Sequence, residues 1–248
     1  MGTSQSVQAQ CTAKNEAFQS GELVMYDLYF NWKFIWKKVG LASLTTNATT
    51  YHSEPAFRFN LLCVGSKKTD FFFKMRDTLT CYVSDRLEPL YFRKAAEEGS
   101  RHTVDEAWFS YSDGLANVKQ RRTWHNPVRE AQEMEYSDSR CIFDMLSILA
   151  QARSYDPKDY KVGQKILFPM AKGRRVEEQT LIYRSSGPGD VLYAEARERY
   201  IGRTTGYYQI DVTNQEGKLI ATFESSVFRK GDNITFSLPQ DAGWKSRR

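Results

Sequence analysis

From Val24 onward the even positions read Val24, Tyr26, Leu28, Phe30, Trp32, Phe34 and Trp36, while Asp27, Asn31, Lys33 and Lys37 fall between them. Alternation with a period of two, held over so long a run, predicts a β-strand with one aromatic face. A face this broad has to cover something large: a helix, a second sheet or an apolar ligand. Shorter strand-like stretches follow around residues 56–64, 70–75, 79–83, 90–93 and 103–111, and the last runs into Ser112-Asp113-Gly114, a hairpin turn. The succession predicts an antiparallel meander. The period changes once. After Asp138 or Ser139 as cap, Ile142, Met145, Leu146, Leu149 and Ala152 recur at helical spacing until Asp156-Pro157, which predicts one helix over residues 140–153 packed on the concave face of the sheet. Beyond it, 165–171, the turn Lys172-Gly173-Arg174 and 176–184 form a hairpin.

The expected class is therefore mainly β, a curved antiparallel sheet or half-barrel partly wrapped around one central helix. The expected layout has a flexible segment over 1–20, the sheet and helix over 21–184, further strands over 185–236 that complete the same sheet, and a flexible tail over 237–248.

Composition supports a packed protein. With 248 residues, 41% of them hydrophobic and 14% aromatic, the chain can bury roughly three-quarters of its unfolded surface. The net charge of +5 is mild and the charges are interspersed, so nucleic acid is not an expected partner. The basic pairs Arg121-Arg122 and Arg174-Arg175 read as solvated turns. No apolar run is long enough to span a membrane, and no basic-then-apolar leader precedes Val24, so the expected chain is cytosolic or already processed. The start MGTSQS fits a myristoylation pattern in form, but so short a pattern recurs by chance.

Candidate chemistry is sparse. Cys11, Cys63, Cys81 and Cys141 are widely separated, with no metal-ligand spacing, and leave open disulfides or buried thiols. His52, His102 and His125 lie in different segments, and no GxSxG, GxGxxG or GxxxxGK[ST] motif occurs, so no catalytic residue, metal or cofactor is expected. Asp105 and Glu106 stand beside Trp108, Phe109 and Tyr111; alternation should turn one acid outward. The candidate ligand surface is aromatic: Tyr26, Phe30, Trp32, Phe34 and Trp36, with Phe72 among its neighbours Phe71 and Phe73. Its expected occupant is an apolar small molecule or a lipid.

Two resemblances add to this reading. SGELVMYDLYFNWKFIWKKVGLAS, KKTDFFFKMRDTLTCYV, LEPLYFRKAAEEG, TVDEAWFSY, SDSRCIFDMLSILAQARS and YKVGQKILFPMAKGRRVEEQTLIYR, in this order over residues 11–184, resemble an exported bacterial family known as domain of unknown function 3108. The resemblance implies an envelope or periplasmic β protein with no established reaction, similar at fold level to the half-barrels of lipoprotein carriers. GDVLYAEARERYIGRTTGYYQIDV and the strand-and-turn blocks after it resemble the carboxy-terminal half of a hotdog-fold acyl-CoA thioesterase, which would imply a cytoplasmic hydrolase and a chimeric chain. Such enzymes carry His-Gly-Gly before a central helix whose Asp or Glu activates water. This sequence has no His-Gly-Gly, and on its helix Asp144 is the acid available, read here as a solvated residue. The expectation is a non-catalytic envelope protein, with the thioesterase as the alternative.

Overall fold

The computed structural model describes residues 11–32, 35–66, 74–155, 157–159, 161–182, 193–201 and 205–228. Eight strands pair as antiparallel neighbours in chain order: β1 (Glu22–Trp32), β2 (Ile35–Tyr51), β3 (Glu54–Gly65), β4 (Met75–Ser84), β5 (Pro89–Glu98), β6 (Arg101–Ser112), β7 (Leu115–Asn126) and β8 (Val128–Asp138). The meander is the predicted one, and it is not closed into a barrel, since β1 and β8 stay at its two ends. The candidate strand at 70–75 falls largely on residues outside the described ones.

β7 and β8 were not legible as strands, for different reasons. Along β7 the buried positions are Ala116, Val118 and Gln120, and then Arg121-Arg122 breaks the apolar alternation. That basic pair lies within the strand, not in a solvated turn. β8 is exposed along most of its length, with Val128 at 83% exposure, so it has no buried face to impose a period of two.

Register divides each strand between two faces. Thr46 of β2, Phe59 of β3, Cys81 of β4, Phe92 of β5, Ala107 of β6 and Gln120 of β7 are successive partners across the sheet, and all are buried. This inner face meets Ile142, Leu146 and Ala150, and the cluster they form is the core.

Of the residues predicted as helix, only Ser147–Arg153 form the regular helix, α1, and the reason lies in the preceding residues. Phe143 is held extended: its N–H donates to the Pro169 carbonyl at 3.0 Å, and its own carbonyl accepts from the Ala171 N–H at 2.8 Å. Coiling therefore begins only at Asp144. Its Oδ1 accepts from the N–H groups of Leu146 (2.8 Å) and Ser147 (3.0 Å), while Ser147 Oγ accepts from the Asp144 N–H (2.9 Å). These are the reciprocal bonds of a capping box. Asp144 is fully buried, contrary to the solvated position read from sequence.

Residues 11–20, placed by sequence in a flexible segment, pack as a strap over the core. Cys11 is disulfide-bonded to Cys141, across 130 positions of sequence. Phe18 is buried with its ring edge-on to Phe57 and Phe59, at centroid separations of 5.4 and 4.9 Å. Arg153 at the end of α1 reaches back to the carboxylate of Glu22 at 2.6 Å and lies over the Phe18 ring.

The remaining strands do not join the eight-stranded sheet, which corrects the expectation of one shared sheet. β9 (Lys165–Lys172) and β10 (Arg175–Ile182) form a hairpin, and β11 (Tyr193–Ile201), β12 (Thr205–Thr213) and β13 (Leu219–Phe228) form a separate three-stranded sheet. Pairing with a neighbour in sequence closes only a short loop, at a small entropic cost. Between β12 and β13 the Asn214 side chain fixes the turn by accepting from the N–H groups of Glu216 and Lys218.

The disulfide ties the strap to the segment that starts the helix. Cys11→Ser or Cys141→Ser should lower unfolding stability by about 2–4 kcal/mol, read from urea denaturation, whereas reductant should leave the midpoint of either variant unchanged.

Candidate functional site

The inner face is covered unevenly. The rows that contain Phe59, Cys81 and Phe92 lie under the 142–150 segment, whereas the rows toward the other end of β1–β6 become polar or partly open. Along one of them, Val24, Leu44, Leu61, Leu79, Lys94, Asp105 and Arg122 are successive register partners from β1 to β7. The next row holds Tyr26, Ala42, Cys63, Asp77 and Ala96. The sheet thus sets apolar groups from β1–β3 beside charged groups from β4–β7 on one face.

The charged part has two centres. Asp105 and Arg122 form a two-pronged ion pair, with Arg122 Nη2 2.5 Å from Asp105 Oδ2. The turn of β9–β10 closes over this pair: Gly173 adopts φ +68° there, and the Arg174 guanidinium lies 5.6 Å from the Trp124 ring centroid. The positive φ favours glycine in this turn, and a Cβ there would also have to displace the Arg122 guanidinium from Asp105. Asp105 thus points inward, and Glu106 points outward, where it accepts from Tyr91 Oη at 2.6 Å.

The second centre is more open. Lys94 Nζ lies 3.4 Å from both Asp77 Oδ2 and Glu98 Oε1. Asp77 Oδ1 is buried without a hydrogen-bond partner. Burial raises the Asp77 pKa against the opposing pull of Lys94. Burial alone would lower the Lys94 pKa, but Glu98 and Asp77 outweigh it and raise it. The Cys63 thiol, across the strand pair from Asp77, is pushed up by burial and then by that carboxyl. The result is an ammonium shared by two acids, one of which has an unsatisfied oxygen.

Of the aromatic residues proposed from sequence, Tyr26 faces inward by register and is 46% exposed, beside Val24 and Leu28. Phe30, Trp32 and Trp36 occupy the paired ends of β1 and β2, opposite Lys37, Ile35 and Asn31 respectively. Phe34 and Phe72 lie outside the described residues. The charged centres were missed because their members are scattered along the sequence and meet only through register. The inward alternation of Asp77, Lys94 and Asp105 was the available signal.

Other groups singled out from sequence separate in the structure. His102 and His125 meet with ring centroids 4.7 Å apart, while His52 sits in the β2–β3 turn. Cys81 lies 3.5 Å from Asp144 Oδ2, and burial pushes its thiol well up. Among the described residues no group of three or more His, Cys, Asp or Glu is placed to hold a metal ion, and no helix is long and apolar enough to cross a membrane.

Comparison with known proteins gives one match over most of the chain: the family described as "Protein of unknown function (DUF3108)" matches residues 25–247. The match runs on through β11–β13, past residue 184. A short stretch is also similar to acyl-coenzyme A thioesterase PaaI of Escherichia coli K12, at 43% identity over 47 residues, which is 19% of this chain and 34% of that protein. The chain thus spans about a third of the length of the curated relative it matches. No solved structure matches.

Two outcomes follow from the site's electrostatics. A carboxyl whose folded pKa is raised favours the fold when protonated, so its contribution is present below the ordinary value of 3.8 and is lost as pH rises through the raised one. Asp77→Asn should therefore gain stability over the parent at pH 7, and the gain should shrink as denaturation is repeated toward pH 3.8. Asp144→Ala, which leaves two buried N–H groups without their acceptor, should cost about 1–3 kcal/mol in chemical denaturation, and Asp144→Asn distinctly less.

Proposed function

The chain belongs to the DUF3108 family of proteins of unknown function, and from that premise we propose that it is a non-catalytic protein of the bacterial envelope that holds an apolar or lipid-bearing ligand on the inner face of its sheet. The observation that carries this reading is the composition of the less covered part of that face. Val24, Tyr26, Leu28 and Leu61 keep apolar surface partly in solvent, next to the Asp77–Lys94–Glu98 cluster. Such a surface suits a molecule with an apolar body and a polar end. Tyr26, Phe30, Trp32, Phe34, Trp36 and Phe72 would contribute the aromatic contacts. The envelope assignment is supported by the Cys11–Cys141 bond, because disulfides persist in oxidising compartments outside the cytosol.

A second reading, acyl-CoA hydrolysis, is favoured by the short similarity to the thioesterase. Against it stands the position of Asp144, the acid that the hotdog resemblance would use. Its carboxyl is sealed in the core and engaged by the Leu146 and Ser147 N–H groups, so it lacks the access that a water-activating base needs.

One sample tests both readings. Protein purified under native conditions should release a lipid or other apolar molecule detectable by mass spectrometry, and Tyr26→Asp should carry several-fold less of it. It should release no thiol from short, aromatic or long acyl-CoA. Thiol release that is lost in Asp144→Asn, in a variant that still melts cooperatively, would establish the hydrolase instead.

A further inference from the structure

The outer face of the same sheet carries an arrangement that the inner-face reading does not use. Arg58 of β3, Tyr82 of β4, Tyr91 of β5 and Trp108 of β6 are direct register partners, so they form one row across four strands. The ring centroids of Tyr82 and Tyr91 are 6.3 Å apart, and those of Tyr91 and Trp108 5.7 Å. Tyr51, at the end of β2, leans onto the row, 5.2 Å from Tyr82 and stacked at 16° against Tyr91. All four rings are half-buried, held by one another with part of their surface in solvent. Tyr91 is fixed further by its hydrogen bond to Glu106; burial and that bond raise its pKa, which keeps the phenol neutral.

Beside this row runs a second one of different chemistry. Asn60, Thr80, Arg93, Glu106 and Arg121 are register partners from β3 to β7, two residues along each strand from the aromatic row or its continuation. One line of flat rings therefore lies parallel to one line of amide, hydroxyl, guanidinium and carboxylate groups. Adjacent strands lie about 4.8 Å apart, so both lines present a group at each step of roughly that length.

We propose that this outer face binds a linear glycan laid across strands β3–β6. A pyranose ring has a C–H face and a rim of hydroxyls. The C–H face packs on the electron-rich face of an aromatic ring, and the hydroxyls take up the donors and acceptors of the polar row. A folded protein partner would favour a continuous apolar patch with its charges at the rim. Here β4, β5 and β6 each carry one ring and one polar group two residues apart, which matches the amphipathic edge of a sugar chain. Arg58 extends the aromatic row with a buried Nε that lacks an acceptor, and it supplies a cation at the end of the platform. This site stands independently of the inner-face ligand, since it uses the opposite face of each strand.

The test is native electrophoresis of the full chain in gels containing dextran, glycol chitin or alginate, with Trp fluorescence titrations against the same three polysaccharides. At least one should retard the protein and change its fluorescence. Trp108→Ala and Tyr82→Ala should each weaken that binding by about tenfold, while Trp108→Phe and the inner-face change Tyr26→Ala should keep most of it. Retardation by none of the three, or retardation that Trp108→Ala leaves intact in a variant with an unchanged melting curve, would overturn the proposal. Loss of lipid from Tyr26→Asp bears on the inner face alone, so the two readings fail separately.

Discussion

Contact between Phe59, Cys81 and Phe92 on one side and Ile142, Leu146 and Ala150 on the other is what the rest of the fold depends on. An open antiparallel sheet buries apolar surface only where something covers it, and each strand here presents alternate residues to each face. One short helix is a small cover for so wide a sheet. Everything around it extends that cover: the strap from Cys11 to Phe18 on one flank, the β9–β10 hairpin through Phe168 and Ala171 on another. The covered part forms the core, and the part of the same face left less covered stays partly in solvent.

The cover is held by polar groups placed where they cost little. Asp144 is a fully buried acid whose pKa burial raises, and the two N–H groups it accepts and the nearby Cys81 thiol offset that desolvation in part. Gln151 donates to the Cys11 carbonyl at 2.9 Å and Arg153 to the Ala17 carbonyl at 3.5 Å, so the last turn of α1 is bonded to the strap, while Arg153 also bridges to Glu22 of β1. Asp105 and Arg122 neutralise each other under the β9–β10 turn. Asp77 differs, with one oxygen unsatisfied, and that difference separates a group that holds the fold together from one suited to another task.

The strands with one buried face were legible in the sequence, because burial writes a period of two into them. β3 and β6 could be read in this way, and β1 from the alternation along its length, whereas the strands of the carboxy-terminal sheet were placed by resemblance, with alternation around Tyr208, Ile210 and Val212. β8 could not, since little of it is buried on either face. The start of the helix was misjudged because Ile142 and Leu146 are both core residues at helical spacing, yet Phe143 between them is bonded to β9 as an extended residue. The charged centres on the inner face and the aromatic row on the outer one were missed for a shared reason. Each is made of single residues from successive strands, and only register, which no local pattern states, brings them into line.

The bond between Cys11 and Cys141 also orders events in time. A chain that emerges from its amino terminus presents Cys11 long before its partner, and all eight strands of the meander lie between them. The bond can close only once all eight strands and Cys141 itself have been made. Until then the strap and the segment around Cys141, which cover the same core, are not joined to each other. A chain cut short after β8 would thus possess every strand of its largest sheet and still have no lid to make it waterproof.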